Sequence, residues 1–393
     1  MGVLKDENLI RVIPAKGGAI SEVAVVGGGL IGLSIAWRSA QRGLDVTVFD
    51  NPKSIGASEV AAGMLAPVTE VHYGEEDLLR LNILSARSYE SFIAELESET
   101  GIDAGYRRCG TLMVARDGDD NAELDDLFAF QQKLDLRVER LRSTETRALE
   151  PGLAPTIRGG ILAPDDHQVD PGALLVSLRT ACVRAGVELV DDHVHTIETK
   201  ASRVTGVMTR AGARVAVHRI VLAGGAQSGR IDGLPPGSLP PIRPVKGQLV
   251  HLAATGPFGV ADRNIRGLEV YVVSRLNGKV IVGATVEEMG DDTTVTAGAI
   301  HELLRRAYEL LPGVTELRFV RGLAALRPGT PDNAPLLGNG TVEGLVIASG
   351  HFRNGVLLAP ITGVAIAELL ATDASPDEIA AFSPARFERG ISA

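Results

Sequence analysis

Three glycines and an aspartate are the first residues whose types and spacing point to chemistry. The stretch 22–50 reads EVAVVGGGLIGLSIAWRSAQRGLDVTVFD. Its turn, GGGLIG at 27–32, follows an apolar run from Val23 to Val26 and opens an amphipathic stretch to Arg42. A second apolar run, Val46 to Phe49, ends in Asp50. In a strand, turn, helix and strand of this kind each piece grips a dinucleotide. Gly27 permits the tight turn, Gly29 lets the backbone approach a pyrophosphate, and Gly32 lets helix lie close on strand. The amides that open the helix meet phosphate charge with their dipole. Asp50 falls about twenty residues on, where an acid hydrogen-bonds a ribose 2′-OH and favours an unphosphorylated adenosine ribose.

The elements that must position this turn come from far along the chain. Helices are expected over 75–100, 171–185 and 296–311, with Pro171 well placed at a first helical position. Residues 105–116 read as a strand, 121–150 as helical turns around a short strand, and 159–170 as strand then turn. A meander is expected over 187–190, 194–197, 203–209 and 214–217, followed by a separate strand at 218–223. A second β-rich block spans 246–285, and a strand at 345–348 leads into a long apolar helix after 355. The N-terminal unit cannot close its own sheet without the strands near 220 and 346. The fold class expected is therefore α/β, an α+β two-domain chain: a Rossmann-like nucleotide domain with an inserted substrate domain of antiparallel β-sheet plus helices. The first takes 20–66, 159–243 and 322–372, the second 67–158 and 244–321, and residues 1–19 and 373–393 are terminal extensions.

Composition excludes several classes. At 393 residues the chain has room for about two or three domains. A net charge of −10 without any basic cluster argues against a nucleic-acid or anionic-membrane surface. Cys109 and Cys182 are too few and too far apart for a disulfide framework or a structural zinc site. Cys182 reads as a core thiol and Cys109 as a half-buried strand residue. The histidines show no metal-ligand spacing, so no metal is expected. The first twenty residues lack the apolar core of a signal peptide. The apolar segment 355–371 is broken by Pro360, Thr362 and Glu368 and is shorter than the ~20 residues a membrane span needs. A soluble, cytoplasmic protein is expected.

Further motifs make the reading specific. GASEVAAGMLAP at 56–67 is a run of small residues against which a flat ligand could lie. LRPGTPD occupies 326–332 and GHFRNGVLLAP 350–360. Together with the opening turn, these resemble the glycine oxidases of thiamine biosynthesis, within the D-amino-acid oxidase family of FAD-dependent deaminating enzymes. The likeness runs from about residue 22 to 372. It implies non-covalent FAD in an extended cleft; Ala325 stands near the place where the related sarcosine oxidases attach flavin to a cysteine. Cofactor contacts are implied at Gly27, Gly29, Ile31, Gly32, Asp50, Ser58, Ala62, Gly63, Met64 and Leu65, through the backbone around Val194 beside the adenine, and at Gly350, Arg353, Asn354, Gly355, Val356 and Leu357 around the flavin's pyrimidine end. A helix N-terminus there would stabilise the negative charge of reduced flavin.

The same resemblance assigns the substrate side. Arg327 is expected to take the substrate carboxylate, since a guanidinium matches both oxygens with one fork. Tyr271 would donate its hydroxyl to that carboxylate, Arg353 would lie over the site, and Met64 would touch the substrate. His351 reads as a turn-packing residue and not as a base. An amino acid bound with its amine deprotonated passes its α-hydride to flavin N5. In the family O2 then yields peroxide, and the imine hydrolyses or feeds the thiazole of thiamine. Glycine, sarcosine and short D-amino acids are the substrates implied, and a homotetramer the assembly. Two departures, Glu269 where some glycine oxidases carry histidine and Val286 where some carry methionine, bear on substrate choice. The alternatives are a D-amino-acid dehydrogenase passing electrons to a membrane quinone, and a nucleotide-binding module without catalysis. The second would predict neither Arg327 nor Tyr271.

Overall fold

The computed structural model describes residues 21–51, 55–254 and 260–390; the expected N-terminal extension, 1–19, lies outside them. The glycine turn sits at the centre of the first sheet. Ser21–Val26 pairs in parallel with Val46–Phe49 on one side and Arg214–Leu222 on the other. Glu188–Val190 extends the first edge, and Leu345–Ser349 and then Leu336–Asn339 extend the second. Val23 and Val25 belong to one core and Ala24 and Val26 to another, all of them buried. Burial on both faces is why this strand reads as an unbroken apolar run. Arg214–Leu222 is a single strand, where the sequence suggested two. Its first half pairs antiparallel with Arg203–Thr209, and its second half joins the parallel sheet.

Two helices cover the face that carries Val23. Leu30–Gln41 and Ala359–Thr372 touch closely: Ser34 Oγ donates to the Ala359 carbonyl at 2.8 Å, and a Cβ on Gly363 would come within 2.3 Å of that hydroxyl. Trp37 is fully buried, edge-on to Phe92 with centroids 5.7 Å apart, and its Nε1 donates to Glu99 at 2.9 Å. Truncating such a residue to alanine costs ~3–5 kcal/mol. The helix Glu76–Thr100 buries Leu78, Leu81, Tyr89, Phe92 and Leu96, but Leu84, which helical spacing in the sequence predicts on the same stripe, is exposed. The stripe runs through Ser85 instead, whose hydroxyl donates to the Leu357 carbonyl at 2.6 Å.

The second sheet runs Arg318–Gly329, Arg243–Ala253, Lys279–Gly283, Tyr271–Ser274, Asn264–Arg266, Thr111–Ala115, Gly159–Ala163, Glu139–Arg142. Gly159–Ala163, assigned from sequence to the nucleotide unit, pairs here between Thr111–Ala115 and Glu139–Arg142. Its glycines allow the close approach, since a Cβ on Gly160 would lie 2.5 Å from the Met113 carbonyl oxygen. One face of this sheet buries Val250, Leu252, Val272, Val280 and Val282 against the helix Ala297–Leu310. The other buries Leu249, Val273, Ile281 and Ala325 against Val60 and Ala62, with Met64 packed alongside. This second face is the seam between the two sheets.

Residues 377–390, expected as part of a terminal extension, fold back as two 3-10 segments. Ile379 and Phe382 are buried in the first core, and Arg386 pairs with Asp332 at 2.8 Å. Among the described residues no helix is long and apolar enough to cross a membrane.

Candidate active site

At the cofactor end, the turn has the shape its sequence demands. Gly27 adopts φ +113°, a conformation closed to most side chains. A Cβ on Gly32 would fall 1.9 Å from the Gly27 carbonyl oxygen, so helix and turn are in direct backbone contact. The helix Leu30–Gln41 begins after Gly29, which offers no side-chain cap. Of its opening amides, the Leu30 N–H reaches Ser58 Oγ at 3.2 Å. Asp50, at the tip of its strand, stands over Gly28, where a Cβ would meet its carboxyl at 2.6 Å. Arg179 is ion-paired with it. Uncapped amides, a bare backbone and a carboxylate at the strand tip fit a dinucleotide's pyrophosphate and ribose.

Gly63 (φ +79°) turns the chain into the short strand Met64–Leu65, which pairs with His167–Gln168. Arg275, reaching from the second sheet, donates to the Ala62 carbonyl and, at 2.7 Å, to Gln168 Oε1. Burial draws its pKa down to about 10. At the late loop, Gly350 is held at φ +77° beside Thr330. The Phe352 amide donates to the Pro328 carbonyl at 3.0 Å, tying this loop to the strand that carries Arg327. The carbonyls of Val356 and Leu357 accept from Tyr89 and Ser85. The helix itself begins at Ala359, beyond the residues expected to wrap the flavin.

Register builds the substrate side. Directly opposed residues on antiparallel strands share a face. Arg327 opposes Val245, Ala325 opposes Gly247, Leu249 opposes Gly283, Gly283 opposes Tyr271, and Tyr271 opposes Arg266. Arg327, Tyr271 and Arg266 therefore lie on the seam face. Two glycines make the room: a Cβ on Gly247 would lie 2.4 Å from Arg327 Nη1, and one on Gly283 would lie 2.3 Å from the Tyr271 hydroxyl. Arg327 Nη1 donates to the Thr285 carbonyl at 3.0 Å, and among the described residues it makes no ion pair with a carboxylate. Burial lowers its pKa, while the Tyr271 hydroxyl and Glu70 pull the other way. Burial raises the pKa of Tyr271, keeping its hydroxyl protonated and able to donate.

Sequence reasoning missed Glu70 and Arg266. Glu70 is ion-paired with Arg266, and its other oxygen lies 3.7 Å from Nε of Arg353. Burial alone would raise its pKa, but these two guanidiniums outweigh that and hold it below the usual carboxylate range. Nothing in local sequence marks Glu70; only the strand register, 196 residues along at Arg266, gives it a role. Asp166 was missed too. It is buried, accepts from the Val68 and Thr69 amides at 3.0 and 2.8 Å, and so fixes the backbone leading to Glu70.

Glu269 pairs with Arg306 on the helix Ala297–Leu310 at 3.2 Å, on the far side of the sheet from the seam. Val286 is mostly exposed. The Val194 side chain is buried in the core of the first sheet with Phe49. His351 is enclosed, its Nε2 3.1 Å from Thr362 Oγ1, and burial pushes its pKa down to about 3. Cys182 is buried and Cys109 precedes its strand. No three His, Cys, Asp or Glu side chains gather into a metal-holding group among the described residues.

Comparison with known proteins bears on this arrangement. Residues 22–369 match the model of the FAD dependent oxidoreductase family DAO. The chain is 36% identical over 374 residues to the bifunctional protein ThiO/ThiG of Synechocystis sp., covering 93% of this chain and 54% of that one. It thus spans about half the length of that curated relative. The crystal structure of glycine oxidase from Geobacillus kaustophilus superposes with a TM-score of 0.86 at 31% identity, covering 93% of this chain and 98% of the other. Iminodiacetate oxidase from Chelativorans sp. BNC1 superposes with a TM-score of 0.84 at 26% identity, over 92% and 99%.

Proposed function

The chain belongs to the FAD dependent oxidoreductases of the DAO family, and from that membership we propose that it oxidises glycine and other small amino acids, with O2 as the terminal oxidant. The observation that carries this reading is Arg327: a half-buried guanidinium without a carboxylate partner among the described residues, on one sheet face with Tyr271 and tied to the late glycine loop through Pro328. A cation drawn partly out of water without a counter-ion is costly, and an amino acid's carboxylate relieves that cost. Likeness to glycine oxidases supports the choice of amine.

When bound, FAD supplies a two-electron acceptor that O2 can reoxidise. Gly27, Gly29, Gly32, Ser58 and Asp50 would hold its dinucleotide end, with Gly63, Met64 and residues 350–357 around the ring. The chain's own task is positioning. Arg327 takes both carboxylate oxygens, and Tyr271 donates a third hydrogen bond from the same sheet face, three strands along. Together they fix the direction of Cα. No side-chain base is required, and His351, enclosed and neutral, does not supply one. Met64 bounds the space beside Cα. The cofactor is held without a covalent bond. The imine product either hydrolyses or, as likeness to the ThiO proteins implies, supplies the thiazole of thiamine. The same likeness extends to a homotetramer, which light scattering would check.

The test is direct. Purified protein should absorb near ~450 nm and release peroxide when glycine is added in air. Bleaching of that band by glycine without peroxide would make the enzyme a dehydrogenase, and no bleaching by any small amino acid would end the reading.

A further inference from the structure

Four charged groups crowd the seam beside Tyr271, and they do not cancel evenly. Arg327 has no carboxylate partner among the described residues. Arg266, directly opposite Tyr271, and Arg353, on the late loop, share one carboxylate between them. That carboxylate, Glu70, is itself enclosed, with 16% of its side chain exposed against 15% for Arg266 and 26% for Arg353. Its backbone is pinned through Asp166, which accepts from the two residues before it. Arg266 and Arg353 each keep a buried Nε without a hydrogen-bond partner. Two cations with donors to spare thus stand within reach of the site, and one anion holds them.

Resting on the reading that Arg327 takes the substrate carboxylate, we propose that Glu70 determines specificity: it restricts the site to amines bearing a single carboxylate. It does so in two ways. It occupies Arg266 and Arg353, the cationic pair to which a second carboxylate would otherwise bind. It also sets a fixed negative charge where that carboxylate would have to sit, and like charges repel strongly in a water-poor seam. A monocarboxylate on Arg327 meets neither obstacle. Discrimination here comes from a repulsive element as much as from an attractive one.

The test uses the flavin-loaded enzyme and two ligands that cannot be oxidised, glycolate and malonate, titrated against the flavin absorption band. In the wild type malonate should bind more weakly than glycolate. Glu70→Gln removes the charge and keeps the shape; it should tighten malonate by about tenfold and leave glycolate within about threefold. Arg266→Gln subtracts a cation and leaves Glu70 in place, so it should weaken malonate by about the same factor with glycolate again little changed. Opposite signs for the two variants are what a purely structural role cannot give, because misfolding would loosen both ligands in both proteins. With glycine and iminodiacetate as substrates, Glu70→Gln should shift the ratio of kcat/KM toward the dicarboxylate. If Glu70→Gln does not fold, Arg266→Gln alone decides. A malonate-to-glycolate ratio unchanged from wild type in the folded variants overturns the proposal. Failure of glycolate to perturb the wild-type spectrum would instead remove Arg327 from the site and take this inference with it.

Discussion

The guanidinium of Arg327 lies against the backbone of Gly247, so close that a Cβ there would sit 2.4 Å from Nη1 and 2.5 Å from Cζ. Gly247→Ala would therefore push the guanidinium aside without a clash in the core, because the far end of a long side chain gives way first. The expected result is a folded, yellow protein whose KM for glycine rises roughly fivefold, about 1 kcal/mol of lost hydrogen bonding. Thermal unfolding should stay within about 0.5 kcal/mol of wild type, as for substitutions that disturb no packing. A large loss of stability with unchanged KM would contradict this account of the glycine.

Arg327→Ala removes the cation itself. A charged hydrogen bond is worth about 1.5–3 kcal/mol, so kcat/KM for carboxylate substrates should fall roughly ten- to over a hundredfold, mostly through KM. Arg327→Lys should recover only part of this, since an ammonium lacks the planar fork. Steady-state kinetics with glycine and sarcosine would measure both.

Tyr271→Phe keeps the ring over Gly283 and loses only the hydroxyl. One neutral hydrogen bond, about 0.5–1.5 kcal/mol, predicts a rise in KM of roughly two- to twelvefold with no change in fold. A kcat loss of a thousandfold with KM unchanged would make Tyr271 a proton donor or acceptor in the chemical step, contrary to the positioning role.

Gly32→Ala tests the cofactor end. The added methyl would lie 1.9 Å from the Gly27 carbonyl oxygen, a backbone atom that cannot swing away. The turn must open, and the variant should purify with little flavin, read as the ratio of absorbance near ~450 nm to that of protein. Full flavin content would show that the turn is not the cofactor's seat.

His351 supplies a pH prediction. Enclosure drops its folded pKa from the ordinary 6.5 to about 3. Between those values the unfolded chain binds a proton that the folded one refuses. The contribution to stability is therefore complete above pH 6.5 and is lost as pH falls toward 3. The slope is at most about 1.4 kcal/mol per pH unit. His351→Gln should retain a bond to Thr362 and flatten that part of the acid limb. Melting curves for both proteins between pH 7 and 5 would show parallel decline if the histidine were not responsible.

The fold's nucleotide half was legible because its signals are local. A glycine turn, an apolar strand on each side and an acid at the second tip all fall within 22–50. The helix stripe through Tyr89 and Phe92 follows from periodicity, except that Leu84 faces outward and the neighbouring Ser85 takes the buried place. What local pattern could not give was partnership across the chain. Gly159–Ala163 reads as a strand of the nucleotide unit by its place in the chain, yet its glycines serve a tight pairing in the other sheet. Glu70 shows the same limit at the site: a lone acid after small residues acquires meaning only beside Arg266, and that proximity is set by strand register. Arg327 and Tyr271 came from motif likeness, and the register that sets them on one face was invisible in either segment alone.

The long strand Arg214–Leu222 accepts its last parallel neighbour from Leu345–Ser349, more than a hundred residues downstream. Biosynthesis must therefore wait. At about 5–20 residues per second on the ribosome, a growing polypeptide would spend several seconds with this sheet edge bare and its apolar side chains unsheltered. Such an interval invites chaperone capture or wrong pairing, and it argues that the cofactor can be loaded only after Leu345–Ser349 has left the ribosome. A ribosome-stalled chain ending near residue 335 should thus be digested by protease as readily as an unfolded one, with or without added FAD.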